Sequence, residues 1–104
     1  MTLSEYQQLV KQFLLPESNN REYLVYGLGA EAGEVLDVFA KAVRDKQGQV
    51  PLEPLKKELG DVLFFVAMLA EKYGMSLDDV AISNVNKLRS RKERGVIQGS
   101  GDER

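Results

Sequence analysis

With 104 residues the chain has room for one domain and one core. A core of that size buries a smaller share of surface than that of a larger protein, so self-association is expected. The formal charge of −2 gives no basic footprint for duplex nucleic acid, and the absence of cysteine and histidine excludes disulfides, zinc thiolates, thiol nucleophiles, Ser-His triads and His-containing di-iron motifs.

The N-terminal stretch MTLSEYQQLVKQF lacks the charge pattern and apolar block of a signal peptide. The longest apolar run, Val62–Ala70, is far short of a membrane span, so a cytoplasmic protein with no membrane partner is expected. Thr2 followed by Glu5 reads as a capping box opening a first helix over about 3–14, with Leu3, Tyr6, Val10, Phe13 and Leu14 on its apolar face. Pro16–Asn20 reads as a loop. A long second helix follows over about 21–44, its buried stripe being Leu24, Leu28, Ala32, Val35, Phe39 and Val43. Gly27, Gly29 and Gly33 inside it each weaken the helix by about 1 kcal/mol relative to Ala, which calls for a close approach by another helix or a ligand.

Residues 45–50 form a turn before Pro51, and a third helix runs over about 52–73 with both prolines at its start. Leu55, Leu59, Val62, Val66, Leu69 and Tyr73 make its core stripe, while Phe64, Phe65 and Met68 fall on another side. A helix apolar almost all round is enclosed on several sides; the surplus face packs on another subunit or lines a base pocket. Tyr23, Tyr26, Phe64 and Phe65 are the aromatic candidates for such a pocket. Gly74 ends the helix, Ser76 with Asp79 caps a fourth over about 77–94, and Gly95 opens a flexible polar tail over 95–104. The fold class is all-α, a four-helix bundle, with residues 1–104 as a single domain.

Glu31 and Glu34, then Glu58 and Asp61, form two i,i+3 pairs, each on one helical face and placed symmetrically about a turn near residue 46. A hairpin would bring all four to one level. Most acid pairs at this spacing sit on solvated faces and bind nothing. Here Glu31 and Glu58 border apolar stripes, where unpaired charge would cost several kcal/mol. Oxygen-only ligands favour Mg²⁺, with Mn²⁺ as a substitute, and Mg²⁺ usually joins carboxylates to substrate phosphates. A metal-bound water would be the nucleophile, and a free carboxylate could take its proton. On the fourth helix Asn84, Lys87 and Arg91 share a face and suit phosphate oxygens, although Arg89, Lys92 and Arg94 continue the charge around the helix as on an ordinary solvated face.

These motifs resemble the MazG-like nucleoside triphosphate pyrophosphohydrolases of the all-α NTP pyrophosphatase superfamily. Gly29-Ala-Glu-Ala-Gly-Glu-Val35 matches the family's E-x-x-E, Lys57-Glu-Leu-Gly-Asp-Val62 its E-x-x-D, and Asn84-Val-Asn-Lys-Leu-Arg-Ser-Arg91 its following N-x-x-K-L-x-x-R segment. The ending Arg94–Arg104 is similar to that of short single-domain members from bacteria and phages. The resemblance implies Mg²⁺-dependent cleavage of an NTP or dNTP between the α and β phosphates, giving the monophosphate and pyrophosphate. It implies Glu31, Glu34, Glu58 and Asp61 as catalytic metal ligands, and Lys87 and Arg91 as phosphate ligands with Asn84 beside them. Further candidate contacts are Ser100, Asp102 and Arg104 in the tail. Many members carry another acid where this chain has Ala30, and members assemble as homodimers or as homotetramers made of two dimers. Two other readings stand beside this one. One is a non-enzymatic helical module whose acids bind a metal or a basic partner; the other is a pyrophosphohydrolase of a phosphoribosyl nucleotide.

Overall fold

The computed structural model describes residues 1–104 and contains helices and turns but no strand. Helix α1 spans Leu3–Val10, α2 Arg21–Asp45, α3 Leu52–Lys72 and α4 Leu77–Glu93. The first helix opens as the sequence predicts: Thr2 Oγ1 accepts the Glu5 N–H at 3.0 Å, and Glu5 Oε1 accepts the Thr2 N–H at 3.3 Å. It ends sooner than the apolar spacing predicts, tightening into a 3-10 turn over Lys11–Phe13. Leu14 and Leu15 are extended, and for Leu15 the cause is Pro16, whose ring disfavours the helical region for the residue before it. Pro16–Ser18 then form a second 3-10 turn inside the expected loop. Asn20 caps α2, its side-chain oxygen accepting the Tyr23 N–H at 2.8 Å.

Helices α2 and α3 form the hairpin on which the rest is built. Its turn closes where Lys46 and Gly48 both donate to Ala42 O at 2.9 Å. Gln47 and Gly48 adopt φ of 55° and 83° there, so the chain reverses through left-handed backbone. Pro51 is the N-cap of α3 and Pro54 lies in its first turn, where neither removes a helical hydrogen bond.

The central core joins Leu24 of α2 and Leu77 of α4 to Phe65, Ala67 and Met68 of α3. Tyr6, Val10 and Leu14 pack on it from the N-terminal segment, Leu28 from α2, and Phe64, Val66 and Leu69 from α3. The face of α3 turned to this core differs from the one its spacing suggests. Phe65 and Met68 are buried, whereas Leu59 and Tyr73 are more than half exposed. The cause lies on α2: a Cβ at Gly27 would overlap the Phe65 ring, so the missing side chain makes the slot that the ring fills. Gly27 thus has the close approach the sequence calls for, while a Cβ at Gly29 or Gly33 would meet nothing within 4 Å.

Gln7 fixes α1 to the α3–α4 corner. Its buried amide donates to Met75 O at 2.9 Å and Ala67 O at 3.3 Å, and its oxygen accepts the Leu77 N–H at 2.8 Å. All of its contacts span about two-thirds of the chain, so one polar side chain closes the longest loops in the fold. No helix is long and apolar enough to cross a membrane.

Candidate metal centre and anion-binding face

Glu31 on α2 and Glu58 and Asp61 on α3 present carboxylate oxygens that all lie within 4.8 Å of one another. Glu31 and Glu58 are half-buried and Asp61 is exposed, so the cluster sits at the edge of the hairpin interface. Glu34, one turn beyond Glu31, is exposed and stands outside this group of three. It lines, with Glu58, Asp37, Lys41 and Lys46, an adjoining cleft of about 280 Å³ between the two helices. The hairpin therefore brings three of the four expected acids to one point and leaves the fourth beside it.

At Glu31 the surrounding charges are all of its own sign. Burial pushes the Glu31 carboxyl above its ordinary value, and the charges of Asp61, Glu58 and Glu34 push it further in the same direction. Tyr6 reaches the same neighbourhood from α1; burial raises its hydroxyl, with Asp61 adding to the shift. Tyr6 reads from sequence only as a core residue, because nothing local to α1 signals an acid more than fifty positions away. Three or four hard oxygen donors with no cation among the charges felt by Glu31 fit a small divalent ion, and favour Mg²⁺ or Mn²⁺ over zinc or copper. Glu31, Glu58 and Asp61 would hold such an ion, with Glu34 beside them.

The basic residues of α4 face elsewhere within the chain. Asn84 and Lys87 are exposed, while Arg91 is only 5 % exposed. Lys87 Nζ lies 3.4 Å and Arg91 Nη2 3.3 Å from Asp102 Oδ1, and Arg91 Nη2 also donates to Asp102 O at 2.9 Å. No hydrogen bond or ion pair joins either cation to the four acids. The tail, expected to be flexible, is folded over the end of α4. Arg104 donates through Nε to Val96 O, through Nη1 to Gly101 O and through Nη2 to Ile97 O, at 2.9, 2.7 and 2.7 Å. Ser100 is exposed and its hydroxyl makes no hydrogen bond. Among the aromatic candidates for a base pocket, Phe65 is buried in the core with Phe64 edge-on at 5.4 Å and Tyr23 tilted against it at 5.5 Å. Phe64 and Phe65 are packing residues, while Tyr23 is 44 % exposed. Tyr26 is 72 % exposed.

The class the fold defines is an all-helical hairpin with carboxylates from α2 and α3 brought together at its edge, followed by a fourth helix with a cationic second half. The chain belongs to the MazG nucleotide pyrophosphohydrolase domain family, whose model matches residues 19–96 and so takes in α2, α3 and α4. It is also similar to the Gene 37 protein of Mycobacterium phage L5, at 49 % identity over 85 residues covering 79 % of this chain and 75 % of the phage protein. No solved structure matches.

Proposed function

We propose that residues 1–104 act as a single-domain Mg²⁺-dependent nucleotide pyrophosphohydrolase, splitting an NTP or dNTP between its α and β phosphates. The observation that carries this reading is the convergence of Glu31, Glu58 and Asp61 on one point, on the two helices that carry the family's acidic motifs. In the reaction water adds to one phosphorus of the α–β bridge, the phosphoanhydride P–O bond breaks, and the monophosphate and pyrophosphate leave. Bound Mg²⁺ supplies Lewis acidity and neutralises phosphate charge. Of the four acids, a carboxylate that is not fully engaged by the ion would take the proton of the attacking water. Lys87 and Arg91 contribute charge-assisted hydrogen bonds to phosphate oxygens, with Asn84 beside them.

A second copy belongs to this reading. Within one chain the acids and Lys87 make no contact, so the proposal takes the active form to be a homodimer or a homotetramer in which helices of neighbouring copies meet. Nucleotide substrates and the absence of any membrane-length helix fit a cytoplasmic enzyme. The experiment is to incubate the purified protein with each common NTP and dNTP and Mg²⁺, and to detect pyrophosphate. A phosphoribosyl nucleotide belongs in the same panel. Release of pyrophosphate that is lost with EDTA and in Glu34→Gln and Asp61→Asn is expected. No turnover on any substrate, or full activity in both variants, would refute the proposal.

A further inference from the structure

The hairpin is filled on one side of the carboxylate cluster and open on the other. Toward the N-terminal half of α2 the Phe65 ring occupies the slot at Gly27, and Phe64 packs edge-on against it at 5.4 Å. Toward the turn at 45–50 the two helices part around the cleft of about 280 Å³. Glu34 and Glu58 line this cleft, and Glu58 belongs to the cluster as well. A group bound at the cluster therefore has an open cavity beside it within the same hairpin.

The lining decides what the cavity can take. Val38 and Ala42 line it from α2, and Pro51 and Pro54 from the start of α3. Its charged groups are the carboxylates of Glu34, Asp37 and Glu58 against the ammonium groups of Lys41 and Lys46. An excess of carboxylates disfavours an anion, while apolar walls with a few polar groups at the rim suit an uncharged ring. Asp37 Oδ2 lies 2.8 Å from Lys41 Nζ, and their side chains are 44 and 59 % exposed, so the pair still has an acceptor oxygen and N–H donors to offer a ligand. Every nucleobase carries donors and acceptors side by side on its edge, the pattern that such a couple complements. Glu34, Asp37, Val38 and Lys41 share one face of α2. Val38 and Lys41 stand about 6 and 10 Å beyond Glu34 along the helix axis, a span that matches a nucleoside whose phosphate is held at the cluster.

We propose that this cleft is the nucleoside site. The base enters between Val38 and the two prolines, and the Asp37–Lys41 pair reads its hydrogen-bonding edge, which makes these two residues determinants of base preference. The choice of a nucleoside as ligand rests on the function proposed above; the cavity and its lining stand apart from it.

The test is nitrogen–proton correlation NMR of the full chain in EDTA, titrated with the uncharged nucleoside of each base. These ligands carry no phosphate, so the carboxylate cluster takes no part. At millimolar concentration at least one of them should shift the amide signals of Val38, Lys41 and Lys46 and leave that of Leu77, in the core at the start of α4, unmoved. Asp37→Asn and Lys41→Met alter exposed side chains outside the core, and each should weaken the preferred nucleoside by about tenfold and flatten the preference among bases. Lys56→Met, the same charge change on α3 outside the cleft, should not. In turnover, Asp37→Asn and Lys41→Met should change the ratio of kcat/KM between bases. Inhibition by inorganic tripolyphosphate, which has no base, should stay as in the wild type. No shift at the cleft with any nucleoside, shifts centred elsewhere in the chain, or wild-type affinity and base preference in both variants would overturn the proposal. Nucleoside binding with this variant pattern but no turnover of any nucleotide would sink the proposed function and leave the site standing. Turnover whose base preference is indifferent to both variants would do the reverse.

Discussion

At Glu31 the sign of a pKa shift becomes a prediction. Its carboxyl is raised in the folded protein, so between the ordinary Glu value and the raised one the folded state binds more protons than the unfolded state. Stability of the metal-free protein therefore falls as pH rises through that window, and at neutral pH the ionised side chain is a net cost. Glu31→Gln is expected to raise the metal-free melting temperature at pH 7 and to flatten its loss as pH rises above the ordinary Glu value, measured by differential scanning calorimetry in EDTA. Added Mg²⁺ should raise the wild-type midpoint and leave that of the variant nearly unchanged. Gly27 offers the opposite case, in which a side chain is added. Gly27→Ala gains about 1 kcal/mol of helix propensity. It also forces a Cβ into the Phe65 ring, and overpacking of this kind costs about 1–3 kcal/mol. A lower urea midpoint is expected for Gly27→Ala. Sequence alone shows that glycines inside α2 need a reason, but not that Gly27 finds it in Phe65, because the partner lies on another helix.

Elements were readable where their signals are local. The capping box of α1, the turn at 45–50 and the Ser76 cap of α4 are each written within a few residues, and each is where the structure has it. The face of α3 was not readable. A helix apolar on nearly every side carries no periodicity that selects one face, and the choice falls to the slot at Gly27. Long-range polar contacts were equally silent, since Gln7 looks like any surface glutamine in α1 until Ala67, Met75 and Leu77 surround it. The acid pairs were readable because their i,i+3 spacing is a property of each helix alone; that Glu34 stands outside the converged group depends on how the helices are rotated. Gln7→Leu tests the element-scale role directly. It leaves the buried Leu77 N–H and the part-buried Met75 carbonyl without their partner and removes the second bond to Ala67 O, whose helical bond remains, at a cost of about 1–3 kcal/mol. The expected result is a lower urea midpoint with an unchanged slope, since the compactness of neither state is altered.

The molecule as a whole exposes more than a folded monomer of its size. Its accessible surface is 7603 Å², where about 5,800 Å² is usual for a single chain of this mass. Its radius of gyration is 16.4 Å, where about 13 Å is usual for 100 residues. The excess is apolar and organised. On the side of α2 turned away from α3, Tyr26 and Leu36 are each 72 % exposed and Val43 is 74 % exposed, with Gly29 and Gly33 between them. On α4, Ile82, Val85 and Leu88 are 57, 48 and 43 % exposed. Glycines that weaken a helix and meet nothing in their own chain are explained if another helix lies against them, since small residues let backbones approach closely. Helical faces of this kind on both arms of the molecule suit packing of copy on copy rather than a fold that ends at one chain. Light scattering coupled to size-exclusion chromatography should therefore give the wild type a mass that is a multiple of 11.6 kDa. Leu36→Glu places a charge in the middle of the α2 face without touching the α2–α3 core, and should shift that mass toward the single chain. A fall in pyrophosphohydrolase activity with the same concentration dependence as the loss of mass would tie the assembly to the site. A wild type that runs as one chain at tens of micromolar would show that the exposed faces do not join copies of this protein.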